Sequence, residues 1–269
     1  MTAPRFFLTR PLFDAPSAQG ASWTAPAPPR EPVEVPLSGE DLHHVADVLR
    51  LRVGEEFTAV EPTGVLWRLR AEEVSRVRLV AEVLERVETP GEPRVTLAQG
   101  VAKGPKMDRI VEQAVEVGVA SILPVLTERS IVRLDADKRS ERGRRWRRVA
   151  EAAAKQARRG FVPAVGDPAS LAELLPEIAS HDVVLVVWED APPDAGIART
   201  LAQAGAGPEM SVALVIGPEG GLSADEVETL RSAGARVCRL GPSILRTETA
   251  GLVALVLTLS ALGGLGADA

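Results

Sequence analysis

The chain has no tyrosine, no asparagine and a single cysteine, Cys238, among its 269 residues, and aromatic side chains make up 3% of it. One cysteine excludes an internal disulfide framework and suits a reducing, cytoplasmic setting. Three histidines without a cysteine cluster leave little from which to build a zinc site, so no metal is expected. Long apolar runs are nearly missing. The one candidate, Ala250–Gly266, is short for a bilayer, contains Thr258 and Ser260 and ends in glycines. It reads as a helix buried against a sheet or a second subunit. Met1–Arg10 has only three apolar residues, Phe6, Phe7 and Leu8, between Arg5 and Arg10, which predicts no secretory signal, and no membrane partner is expected.

Lysine is scarce too: 27 of the 31 basic residues are arginine, a bias that makes arginine abundance weak evidence for phosphate binding. Position says more. The formal charge of -6 argues at face value against a nucleic-acid partner. Yet residues 138–159 hold ten basic residues against two acidic ones, a surplus of eight, and the rest of the chain is correspondingly acidic. Trp146, Val149, Ala150, Ala153 and Ala157 recur there at helical spacing, which predicts an amphipathic helix over 140–159 with a basic face.

The first 85 or so residues read as β-rich. Val65, Trp67 and Leu69 alternate with Leu66, Arg68 and Arg70, and Val74–Val87 reads as a further strand. One helix interrupts them, capped by Ser38, with Leu42, Val45 and Leu49 as its buried stripe. Residues 16–36 contain six of the 21 prolines and read as a disordered or extended loop, a Pro/Ala-rich insertion. The turn cluster at 88–93 marks a domain boundary. Beyond it the chain is α/β: strands expected at Val95–Gln99, Ser121–Val125, Val183–Trp188, Val212–Ile216 and Arg236–Leu240 alternate with helices at 105–117, 140–159, 224–233 and 248–262. That alternation predicts a parallel sheet covered on both faces.

Two strand-to-helix loops carry the chemistry. Val212–Ile216 runs into Gly217-Pro218-Glu219-Gly220-Gly221-Leu222, followed by a helix with Ser223 as N-cap and Glu226 completing a capping box. Three glycines in five residues at a strand's carboxyl end demand a sharp turn or a close approach to a ligand. The spacing matches neither a Walker loop nor the GxGxxG of dinucleotide folds. Arg236–Leu240 leads similarly into Gly241-Pro242-Ser243-Ile244-Leu245-Arg246-Thr247-Glu248, where Thr247 is an expected N-cap and Glu248 suits the positive helix end. Arg246 is anomalous, because a cation at a helix N-terminus is disfavoured without an anion. Its partner is either a carboxylate (Glu248 or Glu219) or substrate.

IGPEGGLSADEV followed by LGPSILRTETA resembles the paired ligand loops of the bacterial 16S rRNA (uridine-N3)-methyltransferases, the RsmE-like family of the SPOUT superfamily. The similarity extends to Arg5–Phe7, His43–Leu51, Val101–Val119, Thr127–Ser130 and Arg144–Pro163, and so covers most of the chain. It implies a PUA-like RNA-binding β-barrel over 1–88 and a knotted SPOUT methyltransferase domain with a deep trefoil knot over 93–269. It further implies a homodimer and the cofactor S-adenosylmethionine, with 16S rRNA or the 30S subunit as partner. By the same resemblance the cofactor pocket is lined by Trp188, Ile216, Gly217, Glu219, Gly220, Gly221, Leu240, Gly241, Ser243, Ile244, Leu245 and Thr247. Arg246 and Glu248 are the candidate catalytic residues. Arg5, Arg10, Arg50, Lys103, Lys106, Gln156 and Arg159 are candidate RNA contacts. The competing readings are methylation of another RNA site, a non-catalytic ribosome-assembly factor, and a nucleotide-dependent oxidoreductase. The last lacks spaced glycines and an acidic ribose reader.

Overall fold

Twelve strands and seven helices are seen in the computed structural model, which describes residues 4–13, 31–61, 65–87, 93–130 and 134–265. They fall into two compact units, Met1–Pro90 with Arg158–Val162, and Gly91–Ala157 with Pro163–Ala269. Most of the turn cluster at 88–93 and residues 16–30 of the proline-rich stretch lie outside the described residues.

The first unit contains β1 (Arg5–Phe7), β2 (Val33–Glu34), α1 (Gly39–His43), β3 (Glu56–Val60), β4 (Leu66–Val74) and β5 (Leu79–Val87). The strands form one sheet in the order β1-β3-β4-β5-β2, antiparallel except for the β1–β3 pair. Alternation holds in β4 from Trp67 on, although Leu66 on the other face is buried too: Trp67, Leu69 and Ala71 are buried and meet Leu79, Ala81 and Val83 of β5 in one core with Phe6 and Phe57. Glu61, itself buried, accepts from Trp67 Nε1 at 2.8 Å and from the Leu12 amide at 3.0 Å, which satisfies two donors inside that core.

Three expectations are corrected here. Val74–Val87 is not one strand, because a turn closed by Ser75 N–H on Arg78 O separates β4 from β5. Residues 33–36 are not loop: Val33–Glu34 pairs with β5 and Val35 is buried. Ser38 does cap α1, accepting from Asp41 N–H. The stripe fails at Leu49, however, which is 43% exposed. The helix widens into a π turn over His44–Val48, with Leu49 N–H bonded to His44 O, and the extra residue per turn rotates Leu49 off the buried face.

The second unit contains β6 (Arg94–Gly100), α2 (Lys106–Val117), β7 (Ser121–Leu126), α3 (Ala136–Gln156), β8 (Ala164–Val165), β9 (Ala169–Ser170), α4 (Leu171–Ala179), β10 (Val183–Val187), α5 (Ile197–Gln203), β11 (Ser211–Ile216), α6 (Ala224–Ser232), β12 (Arg236–Cys238) and α7 (Thr247–Ala261). Its sheet is parallel throughout, in the order β12-β10-β11-β6-β7-β8, with β9 also on β7. Continuous burial along β6, β10 and β11 fits a sheet covered on both faces. The order sets the chains leaving β12, β10, β11 and β6 side by side at one edge of the sheet.

Helix α3 begins four residues earlier than periodicity alone suggests, because Asp135 caps it by accepting from Lys138 N–H. Its Trp146 is 1% exposed and donates Nε1–H to Asp108 of α2 at 3.2 Å. α4 packs Leu171, Leu174, Leu175 and Ile178 at helical spacing on one core although Pro176 sits inside it, and α5 spans just seven residues. Strand β12 stops at Cys238, where Arg239 leaves the sheet to bond Ala195 O. In α7 a single stripe of Thr247, Gly251, Ala254, Leu255, Thr258 and Leu259 is buried, while Leu257 is 40% exposed. No helix among the described residues is long and apolar enough to cross a membrane.

Truncating Trp146 removes the largest side chain between α2 and α3 and strips Asp108 of a donor. Trp146→Ala is expected to cost about 3–5 kcal/mol, read as a lowered urea midpoint; an unchanged midpoint would show that this packing is dispensable.

Candidate active site

The parallel register decides which loops meet. β10 lies between β11 and β12, so Trp188–Glu189 after β10, Gly217–Leu222 after β11 and Arg239–Ala250 after β12 surround one cavity of about 440 Å³. Ligand crevices of open α/β sheets form at such strand ends. All twelve residues expected to bind cofactor line this cavity, as does Arg246. Val187, Pro218, Leu222, Arg239, Pro242, Ala250, Glu189 and Lys106 line it as well. Glu189 and Arg239 follow strand ends and carried no motif that would have singled them out.

The glycines have distinct reasons to be there. A Cβ on Gly217 would sit 2.7 Å from Gly221 C, and Gly221 adopts φ +71, so the loop folds back on itself only without side chains. At the end of β6, a Cβ on Gly100 would lie 2.4 Å from Pro218 N, which is how the glycine loop packs directly on its neighbouring strand. The capping box at Ser223 and Glu226 then starts α6 beside the cavity.

Thr247 is not the N-cap of α7. Arg246 holds that position, with extended backbone, and its carbonyl accepts from Thr249 and Ala250. The Thr247 side chain is instead buried, donating to Gly217 O at 2.7 Å and accepting from Gln99 Nε2 at 2.9 Å. Freed from capping, it stitches α7 to both the glycine loop and β6. The Arg246 side chain is exposed and makes no ion pair among the described residues, so neither Glu219 nor Glu248 is its partner.

Both carboxylates are taken by Lys106, in the first turn of α2. Its Nζ lies 3.1 Å from Glu219 Oε1 and 3.6 Å from Glu248 Oε2. The Glu219 hydrogen bond leads in raising the Lys106 pKa above its ordinary value. Burial opposes ionisation of Glu219, but its own backbone amide, Lys106 and the Lys103 N–H (3.1 Å) outweigh it, and its pKa is lowered. Glu248 follows the cavity-lining Thr247 in sequence; its buried Oε2 has the Lys106 ammonium as partner, and 17% of its side chain is exposed.

Arg10, Arg50, Lys103 and Gln156 are exposed. Arg5 is not free: its guanidinium donates to the Arg158 and Arg159 carbonyls, and burial foremost lowers its pKa. Arg159 is 6% exposed with its guanidinium 4.9 Å from the Phe161 ring, a packing residue rather than a surface one. In α3, Lys138, Arg139, Arg145, Arg147 and Lys155 are paired with carboxylates, whereas Arg144 and Arg148 are exposed without an ion pair among the described residues. No group of His, Cys, Asp and Glu among the described residues is arranged to hold a metal.

Residues 90–259 match the family described as an RNA methyltransferase domain, and residues 37–84 match the RNA methyltransferase PUA domain. A ribosomal RNA small subunit methyltransferase E of Bacillus subtilis is 34% identical over 222 residues, covering 81% of this chain and 87% of that protein. The Mycobacterium bovis protein of the same name is 36% identical over 224 residues, 81% of this chain and 83% of its own. The chain belongs to the ribosomal RNA small subunit methyltransferase E family. Among solved structures, a methyltransferase E from Neisseria gonorrhoeae bound to S-adenosylmethionine superposes with a TM-score of 0.71 at 27% identity, covering 96% of this chain and 98% of that one. The cavity formed here from the three loops has a glycine-turned backbone and apolar walls from Trp188, Leu240, Ile244 and Leu245.

Two predictions follow from this geometry. Thr247→Val keeps the size but leaves Gly217 O and Gln99 Nε2 each short of a partner; a loss of about 1–3 kcal/mol is expected in denaturant unfolding, and wild-type stability would refute the stitch. Cys238 is fully buried, and burial pushes its thiol up from an ordinary 9.0 to about 12. The folded state therefore favours the neutral thiol, and its contribution to stability is lost as pH rises from 9.0 toward about 12. Iodoacetamide at pH 8.5 should label native protein slowly and unfolded protein fast; rapid native labelling would contradict this burial.

Proposed function

We propose that this chain transfers a methyl group from S-adenosylmethionine to N3 of a uridine in 16S rRNA of the small ribosomal subunit. The observation that carries the reading is the convergence of Trp188, Gly217–Gly221 and Leu240–Thr247 on one cavity with an unpaired Arg246 at its wall. Membership of the methyltransferase E family supports the substrate class. The same reading takes 1–88 as a PUA-like unit that helps hold RNA and 93–269 as a SPOUT domain with a deep trefoil knot around α7, acting as a cytoplasmic homodimer. Support for the dimer comes from Ile244, 88% exposed on the cavity loop, and from Leu257 on the outward side of α7. Exposed Arg144 and Arg148 of α3, with Lys103, supply phosphate-binding charge despite the net acidity of the chain.

S-adenosylmethionine, when bound, supplies a methyl group already activated on its sulfonium. The residues for it are Trp188 and the two glycine loops. The protein must deal with the proton and the charge at the uridine. N3 carries a hydrogen that has to leave before or during attack, and the resulting negative charge spreads onto O2 and O4. Arg246, with no carboxylate to neutralise it, is the cation for that charge. Glu248 is the group assigned to receive the proton. Cys238, buried and un-ionised, plays no nucleophilic part, as methylation at nitrogen requires none.

Loss of 3-methyluridine from rRNA of cells lacking this protein, detected by nucleoside mass spectrometry, is the expected result; normal levels would refute the reading. Arg246→Ala should lower turnover about 100-fold while S-adenosylmethionine binding, measured by calorimetry, changes little. Equal losses in both would remove Arg246 from the reacting centre.

A further inference from the structure

Lys106 entered as a candidate RNA contact, yet its surroundings do not suit a phosphate. Its side chain is 36% exposed, and two carboxylates within 3.6 Å outnumber its single charge. A phosphate approaching this corner meets net negative charge. Lys103, three residues earlier, is exposed, contributes only its backbone amide to Glu219 and keeps its ammonium free for RNA. Glu248 is the more telling member. Its Oε2 is buried with no closer partner than the Lys106 ammonium at 3.6 Å, so the lysine is what offsets the cost of burying that charge. Oε2 faces Lys106, and 17% of the Glu248 side chain remains exposed.

We propose that Lys106 is a positioning residue of the methyl-transfer site, bridging Glu219 on the β11 loop and Glu248 on α7 so that Glu248 is held where the N3 proton leaves. This rests on the assignment of Glu248 as proton acceptor. Three chain segments far apart in sequence meet at one ammonium: Lys106 at the start of α2, Glu219 in the glycine loop and Glu248 in the first turn of α7. Glu219 is anchored independently by the Lys103 amide, so it fixes Lys106, and Lys106 in turn fixes Glu248. No bond is made or broken by the lysine; its ammonium stays protonated while the proton passes from N3 to the Glu248 carboxylate.

The test is a kinetic cycle on full-length protein, using 30S subunits from cells lacking the enzyme as substrate. Lys106→Met, Glu248→Gln and the double variant are compared, with Lys106→Gln replacing Lys106→Met if the latter does not fold. S-adenosylmethionine binding by calorimetry and a salt titration of RNA binding accompany the rates. Lys106→Met is expected to lower kcat about 10- to 100-fold with the slope of RNA affinity against salt unchanged. In the Glu248→Gln background the same substitution should cost less than about threefold, because its partner is already gone. Multiplying losses, or an unchanged kcat with a salt slope reduced by about one, would overturn the proposal and return Lys106 to the RNA surface. If Glu248→Gln is impaired and Lys106→Met is not, the positioning role alone falls. Full turnover in Glu248→Gln would overturn the proton-acceptor assignment, and this proposal with it.

Discussion

The Thr247 hydroxyl is the junction on which the site depends. It donates to Gly217 O and accepts from Gln99 Nε2, so one buried side chain joins the first residue of α7, the glycine loop after β11 and the end of β6. Gln99 is itself fully buried and also donates to Gly100 O, and Gly100 is the position where Pro218 leaves no room for a Cβ. Packing and hydrogen bonding therefore agree on one arrangement. Any displacement of α7 would open the cavity wall and strand buried polar groups at the same time.

Charge is arranged on the same plan of local cancellation with selected exceptions. Five of the basic residues on α3 are neutralised by nearby carboxylates, including Asp108 on α2 and Asp167 beyond the helix. What is left for a partner is a smaller set, among it Arg144 and Arg148. At the cavity the pattern recurs: Lys106 is matched by Glu219 and Glu248, and Arg246 has no ion pair among the described residues. On the reading proposed above, Arg246 is the cation for the charge that develops on the uridine, and Lys106 holds a charge that is already there.

What could be read from the sequence was whatever depends on near neighbours. The strand-loop-helix units at Val212–Ser232 and Arg236–Ala261 announce themselves through glycines, a capping box and an apolar run, and their residues do converge. Period-two alternation found β4 because its pattern spans only a few residues. The same local rules failed where a competing local geometry intervened. A π turn moved Leu49 out of its stripe, and a turn at Ser75–Arg78 split one run into two strands.

The amino-acid sequence by itself determined the parallel α/β character, the two glycine-turned ligand loops and the identity of Arg246 as an anomalous cation, since each rests on spacing within a dozen residues. Tertiary structure alone decided the partners. Strand order β12-β10-β11-β6 brought Lys106 to Glu219 and Glu248 across more than a hundred residues and turned Thr247 from cap to cross-link. Such contacts follow from which strands are neighbours, and the pairing energy that sets this order is shared among apolar side chains that look alike in sequence. Chemistry was legible residue by residue; the pairing of charges became definite only once the sheet had chosen its neighbours.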